Sequence, residues 1–525
     1  MWSLLEFHSY WQQAGVGLLL VLGAALVGQW TFERLTHPKN SQHRLRPKGT
    51  LPFVYNTFQA ATLSHRWLDW LVEQCELFEG KGFWTRIVGN PDTLTITSPE
   101  LFEDVLKTNF EVFDKGPRVN DIFRDLLGAG IFGVDGVQWI HQRKTASNLF
   151  SLRSLRESMT ETIQKHALLL TGIFDRLATS AQPIDVFKLL NRFTMETFAE
   201  IGFGVELGLL GSTEEHPFQA SFDGAQRILM LRFMRPWWFW KTQRALGIGV
   251  EREMKQHIQA INDTVFGIIA RALENRDSQP QSGKKDIVSL FLDNVSADSS
   301  NGLTQGGAFD PVLLRDIVVN FLIAGRDTTA QALSWFFYML SQNPAVEKKI
   351  CDELARKVPA LYHDKATAPS MEQTSDLVYL EGALRETLRL HPSVPRNSKF
   401  ANRDITLCDG TFVRKGESIS ISTYLLGRMT NVWGQDAGEF RPERWIDSES
   451  GKLIQVSAYK FPAFHAGPRM CLGMNLAMVE MKIVASMVLS KFHLELVPGQ
   501  EITYDFSLTH PIKGELMMNV RPVVK

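Results

Sequence analysis

Apolar positions along this chain fall into three patterns, and each predicts a different kind of element. Between Phe7 and Phe32 no residue carries a formal charge, and the centre of the run, Gly15 to Val27, is almost wholly aliphatic. A bilayer needs about 20 such residues. Trp11 and Trp30 flank the run as interfacial aromatics do. Glu6 precedes it, whereas Arg34, Lys39, Arg44, Arg46 and Lys48 follow it. The positive-inside rule then leaves the rest of the chain in the cytoplasm and the N-terminus in the lumen. A cleaved signal peptide would want a basic start and a small-residue cleavage site instead. Residues 1–35 are therefore expected to be a membrane anchor, residues 36–52 a basic, proline-containing linker, and residues 53–525 one folded domain.

The second pattern is a short alternation of apolar and polar residues from Arg86 to Thr97 around Asn90-Pro91-Asp92, which predicts a hairpin. Ser98-Pro99-Glu100 follows as N-cap, first helical residue and first-turn acid. Beyond it the third pattern, a helical period, covers nearly everything. It is interrupted by two polar stretches, Arg276 to Lys285 and Ser296 to Gly307, that read as surface loops. The longest predicted helix opens at Asp310-Pro311 and stops at Asn343-Pro344, and at 1.5 Å per residue it spans about 50 Å. Such a rod must cross the core, and Ile317, Val318, Phe321, Trp335 and Phe336 agree. Ile228 to Trp240 is aromatic with interleaved arginines. It suits either a core helix or a membrane-touching wall of an access channel.

Composition adds bounds. Apolar content of 44% and charged content of 22% over 525 residues describe a globular protein with a large core. A net charge of -1 gives no reason to expect nucleic acid as a partner. The four cysteines, Cys75, Cys351, Cys408 and Cys471, are too scattered for a zinc site or a disulfide framework.

Chemistry enters where local rules fail. The middle of the long helix reads Ala324-Gly-Arg-Asp-Thr-Thr-Ala330. Gly325 costs about 1 kcal/mol against alanine in a helix, Asp327 needs a partner if buried, and Thr328 can bond back to a carbonyl and loosen the ladder. Failures that cluster in this way mark a site. Near the C-terminus, Gly467-Pro468 makes a turn, Arg469 places a cation two residues before Cys471, and Gly473 admits something bulky close to the backbone. An apolar helix follows from Leu472 to about Leu489. A cysteine at its N-terminal end favours the thiolate, which suits an iron ligand.

The spacing Phe464-x-x-Gly467-x-Arg469-x-Cys471-x-Gly473 resembles the haem-binding loop of the cytochrome P-450 superfamily. The mid-helix stretch resembles the oxygen-binding segment of the same family, Glu386-Thr-Leu-Arg389 its Glu-x-x-Arg helix, Phe440-Arg-Pro-Glu-Arg444 its Pro-x-Arg loop, and Trp139-Ile-His-Gln-Arg143 its Trp-x-x-x-Arg helix. The likeness runs from about Leu51 to Pro522 with the motifs in family order.

It implies a mainly helical fold with small β-sheets, a long central helix crossing over the haem, and an N-terminal transmembrane helix. It implies haem b with Cys471 as axial thiolate and metal ligand. Trp139, Arg143, Arg396 and Arg469 would hold propionates, with Phe464 and Gly473 beside the haem. Glu386, Arg389 and Arg444 would lock together as a structural network. Asp327 and Thr328 would deliver protons during oxygen activation, and Gly325 would leave room for the oxygen. Electrons would come from NADPH through a separate reductase, with cytochrome b5 as a further donor, on the endoplasmic reticulum membrane. The expected reaction is monooxygenation of a C–H bond in a lipophilic substrate.

Leu126-Leu-Gly-Ala-Gly-Ile-Phe-Gly-Val-Asp-Gly136, Tyr424-Leu-Leu-Gly-Arg-Met429 and Trp433-Gly-Gln-Asp436 resemble the fatty-acid omega-hydroxylases in particular. Phe123, Leu126, Ala324, Val394 and Leu508-Thr509 would then line the substrate pocket by family position, with Arg227, Arg232 and Arg235 as candidate cations for a carboxylate. Other lipophilic substrates (sterol, terpenoid, alkane) remain alternatives, as do oxygen-independent rearrangement of lipid hydroperoxides and a haem protein that senses or carries.

Overall fold

The computed structural model describes residues 24, 28 and 44–523, apart from 181, 213–215, 279–285, 298–303, 306–307 and 365–366. Apart from residues 24 and 28, the expected anchor falls outside the described residues. Among those described, no helix is long and apolar enough to cross a membrane.

The principal helices are α1 (Gly136–Ser147), α2 (Thr160–Ser180), α3 (Val186–Phe203), α4 (Pro217–Met234), α5 (Trp237–Leu246), α6 (Val250–Ser278), α7 (Pro311–Gln342), α8 (Val378–Leu390) and α9 (Met474–Leu489). The long helix α7 has the predicted ends. Asp310 caps it by accepting from the Val312 amide, Pro311 takes the first position, and Asn343-Pro344 ends it. It is 32 residues long and buried over most of its length. α3, α6, α8 and α9 all pack against it. α6 runs on through Arg276 to Ser278, so the first polar interruption begins later than its composition suggests.

Five short strands form the main sheet: β1 (Phe83–Thr85), β2 (Thr93–Ile96), β3 (Phe113–Asp114), β4 (Arg396–Ala401) and β5 (Ser418–Ser422), in spatial order β1-β2-β5-β4-β3. β1 and β2 are the predicted hairpin, with Trp84 opposite Leu94. Ser98 caps the helix after it by accepting from the Leu101 amide. β5 lies parallel to β2 and antiparallel to β4. Being central, β5 buries both its faces, so its serines end up inside as well as its isoleucines. A second sheet joins Phe492–Leu496, Met517–Pro522 and Ile184–Asp185.

The aromatic run Ile228 to Trp240 is divided between both readings. Ile228, Leu229 and Trp240 are fully or almost fully buried, whereas Trp237, Trp238 and Phe239 are 47%, 59% and 38% exposed. Pro236, lacking an amide donor, separates α4 from α5 and turns the two halves apart. Arg44 and Arg46, from the basic stretch before the domain, lie on the sheet edge. Arg44 pairs with Asp92 at 2.8 Å and Glu417 at 2.7 Å and stacks on Trp84, while Arg46 pairs with Asp92 at 3.0 Å.

Candidate active site

The Cys471 loop is built by backbone demands. Gly467 sits at φ +67°, and a Cβ there would come within 2.2 Å of the Leu106 carbonyl oxygen, so no other residue fits. The turn closes when the Cys471 amide donates to the Phe464 carbonyl at 2.9 Å and the Met470 amide to the Gly467 carbonyl at 3.0 Å. Gly473 differs: its backbone is ordinary, and an added Cβ would meet only Phe150 at 3.6 Å and the Cys471 sulfur at 4.0 Å. The chain itself does not require glycine there. The bare backbone faces the same space as the sulfur. Helix α9 begins three residues after Cys471, slightly later than expected. Burial pushes the Cys471 thiol up, and the Gly473 amide and Arg143 act against that push.

The second part of the candidate site is the middle of α7, the helix against which α9 packs. Its three half-exposed residues in this stretch are Ala324, Gly325 and Thr328, set in an otherwise buried helix. Thr328 Oγ1 donates back to the Ala324 carbonyl at 2.6 Å, as its mid-helix position predicts. Gly325 corrects the expectation placed on it. A Cβ there would strike the Phe198 ring of α3 at 2.1 Å, so its missing side chain serves close packing of α3 on α7 rather than space for oxygen. Asp327 is 1% exposed and faces α4. Gln226 Nε2 donates to its Oδ2 at 2.6 Å and Arg326 Nη1 to its Oδ1 at 2.8 Å. Burial pushes the Asp327 carboxyl up to about 6, against the pull of Arg326. Arg326 also pairs with Asp223 at 3.0 Å, and is itself 1% exposed.

A cluster of cations surrounds the loop. Trp139 is buried on α1, with the Arg469 guanidinium 4.4 Å above its ring and Arg143 at 5.8 Å. Arg469 already has a carboxylate partner in Asp135, but its buried Nε has no partner among the described residues. Arg396 donates from Nε to Ser420 Oγ at 2.8 Å, and burial holds it down at about 10.

Two further cations escaped the sequence reading. Lys399, 4% exposed on β4, has an Nζ without a partner among the described residues, and burial pushes it down to about 7. Lys115 is lowered to about 8 by burial, with Arg469 adding to the effect. A lone lysine in a strand carries no sequence signal. Only the fold brings Lys399 from residue 399 beside Arg469.

Glu386, Arg389 and Arg444 are brought together. Arg389 donates to both Glu386 oxygens at 2.8 Å and to the carbonyls of Gly427, Ala437 and Glu439. Arg444 Nε donates to Glu386 at 3.2 Å, and Trp445 Nε1 and the Arg441 amide donate at 2.8 and 3.0 Å. The carboxylate is thus saturated and wholly buried.

A cavity open to solvent lies beside the sheet, walled among others by Phe123, Met230, Phe233, Arg396, Leu508 and Thr509. Phe123 meets Phe233 edge to face at 5.8 Å. Val394 is half-buried in the preceding loop, whose Ser393 donates to the Thr328 carbonyl at 2.7 Å. Leu126 corrects its expectation: it has no exposed surface and belongs to the core behind the wall. Arg232 corrects another. It is 1% exposed, ion-paired to Glu251 at 2.6 Å and Asp125 at 2.7 Å, and so is spent as a cation for a substrate.

Comparison with known proteins agrees with this arrangement. The family model of Cytochrome P450 matches residues 45–518. Cytochrome P450 86B1 of Arabidopsis thaliana is 36% identical over 87% of this chain and 81% of its own length. Cytochrome P450 704C1 of Pinus taeda is 34% identical over 91% and 93%, and Cytochrome P450 94B1 of Arabidopsis thaliana 33% over 87% and 88%.

A fold of helices around one long rod with a polar middle, and a cysteine loop leading into the helix α9 that packs on that rod, is that of a haem-thiolate monooxygenase. The chain belongs to the cytochrome P450 family. It uses haem b, dioxygen and electrons from a reductase.

The residues present fit that cofactor. The loop offers a soft sulfur donor beside a bare glycine backbone, and the surrounding cations exceed the carboxylates that face them. Unpartnered nitrogens on Lys399 and Arg469 suit an anionic group from outside the chain.

Proposed function

We propose that this protein hydroxylates long-chain fatty acids at or near the methyl end, acting from a single N-terminal anchor in the endoplasmic reticulum membrane. Residues 1–35 are the anchor, 36–52 the basic linker and 53–525 the catalytic domain. An NADPH-dependent P450 reductase is the partner, with cytochrome b5 as an accessory. The observation that carries the reading is the cavity. Its walls include apolar residues from several separate stretches, among them Trp67, Phe123, Met230, Phe233 and Leu508, and one of these stretches, α4, ends just before the exposed Trp237, Trp238 and Phe239. Such a step suits entry of a lipid from the membrane side. The phrases shared with omega-hydroxylases favour the same substrate class.

In this reading Cys471 holds the iron, and Arg143, Arg396, Arg469 and Trp139 hold the propionates. When bound, the haem activates dioxygen so that one atom enters a C–H bond and the other leaves as water, with two electrons from NADPH and two protons consumed. The protein's own contribution is positional and protic. Asp327, held near neutrality by burial, takes up and passes protons. Thr328 has its hydroxyl committed to Ala324, and must swing from that carbonyl to donate elsewhere. Terminal C–H bonds are stronger than internal ones, so selectivity for the end must come from a channel that presents the methyl first. Phe123 and Val394 supply the bulk, and alanine at either moves oxidation inward along the chain. The deciding experiment incubates the reconstituted enzyme with a lipid panel and identifies products by mass spectrometry. Turnover of sterols or small aromatics but of no fatty acid overturns the substrate class.

A further inference from the structure

A buried chain of hydrogen bonds joins Asp327 to the cavity wall. Gln226 Nε2 donates to Asp327 Oδ2 at 2.6 Å, and Gln226 Oε1 accepts from Thr509 Oγ1 at 3.5 Å. Thr509 in turn accepts from Gln331 Nε2 at 2.8 Å, while Gln331 Oε1 accepts from the His510 amide at 2.9 Å. None of Asp327, Gln226, Gln331 and Thr509 is more than 4% exposed. Thr509 belongs to the cavity wall beside Leu508, and Gln226 rides on α4, which carries the wall residues Met230 and Phe233. One partner of the acid, Gln226, and that partner's own partner, Thr509, are thus supplied by elements that an occupant of the cavity touches.

The direction of these bonds carries the inference. Both Asp327 oxygens accept, so the arrangement suits the carboxylate. Once it has taken a proton, the acid must donate from one oxygen. Arg326 has no acceptor to offer it. Gln226 does: turning its amide presents Oε1 to the acid and Nε2 to Thr509. Thr509 must then accept where it had donated, so the two side chains change together. We propose that Gln226 and Thr509 are positioning residues that let Asp327 alternate between carboxylate and acid, and that their place in the cavity wall ties this alternation to the bound substrate. The inference rests on the proton-carrying role of Asp327 stated above.

The test uses the full-length holoenzyme with a P450 reductase and the fatty acid it oxidises best, reading product formed per NADPH. Thr509→Val, which keeps volume and deletes the hydroxyl, lowers the ratio about threefold, with the remainder appearing as hydrogen peroxide. Thr509→Ser restores it. In an Asp327→Asn background neither Thr509→Val nor Gln226→Met lowers the ratio further, since both act through the acid. Shortening the fatty acid lowers the wild-type ratio, and Thr509→Val flattens that dependence. A wild-type ratio in Thr509→Val, losses that multiply with Asp327→Asn, or an unchanged length dependence overturns the inference. Should Gln226→Met fail to bind haem, the Thr509 series decides alone. A wild-type ratio in Asp327→Asn itself instead removes the proton-relay reading, a distinct failure.

Discussion

Glu386 and Asp327 are both carboxylates buried within helices, yet their surroundings are opposites. Glu386 accepts from Arg389 twice and from Arg444, Trp445 and the Arg441 amide, while Arg389 spends its remaining donors on three carbonyls. Asp327 has one amide and one guanidinium as partners, and the Nε and Nη2 of that guanidinium have no partner among the described residues. A saturated buried ion network is rigid, because removing any member leaves an uncompensated charge. A sparsely held carboxyl pushed up to about 6 can change its protonation at little cost. The difference separates a polar cluster that maintains shape from one that performs chemistry.

The contrast is breakable by mutation, and the largest effect belongs to the closed network. Arg389→Ala takes the bidentate cation from the buried Glu386 and leaves the carbonyls of Gly427, Ala437 and Glu439 without that donor, a loss of about 3–5 kcal/mol. Expression should yield no holoprotein, with neither a carbonyl-complex absorption band nor a cooperative melt. A soluble, haem-loaded Arg389→Ala protein would erase the distinction. Next comes Cys471→His, which should abolish monooxygenation and the red-shifted Soret band of the ferrous carbonyl complex. Thermal unfolding should still show a folded domain. A spectrum like that of a histidine-ligated globin in the wild type would refute the ligand.

Thr328→Ala is milder. Its hydroxyl bonds only to its own helix, so the melting temperature should stay nearly unchanged, while product per NADPH falls several-fold in favour of hydrogen peroxide. An unchanged ratio would make Thr328 a structural residue. The smallest effect concerns Glu480 on α9, which is 5% exposed and pushed up to about 8 by burial, against a hydrogen bond from Thr329. Its folded pKa is raised, so between the ordinary glutamate value of 4.5 and about 8 the native state holds a proton that the unfolded chain has released. Stability from this group is present below that window and is lost as pH rises through it. Glu480→Gln should remove that slope from melts taken across the window. An identical slope in the variant would show that Glu480 ionises freely in the fold.

Several details show why some features were legible and others were not. The hairpin around Asn90-Pro91-Asp92, the Ser98 cap and both ends of α7 were readable because each depends on residues a few positions apart. The Cys471 loop was readable for the same reason: its turn, cation, sulfur and bare glycine fall within one short stretch. The aromatic run ending at Trp240 was ambiguous, since composition alone does not say which half finds a core to cover it.

Residue order by itself therefore determined the helical class, the long rod with its disrupted middle, and the thiolate loop, all of which rest on local spacing and backbone geometry. Tertiary structure alone decided that Gly325 receives Phe198, that Arg232 is consumed by Glu251 and Asp125, and that Lys399 stands beside Arg469. It also decided that Gln226 links Asp327 to Thr509. Those partners come from elements distant in the chain, and a buried polar group takes whichever donor or acceptor the packing of those elements delivers.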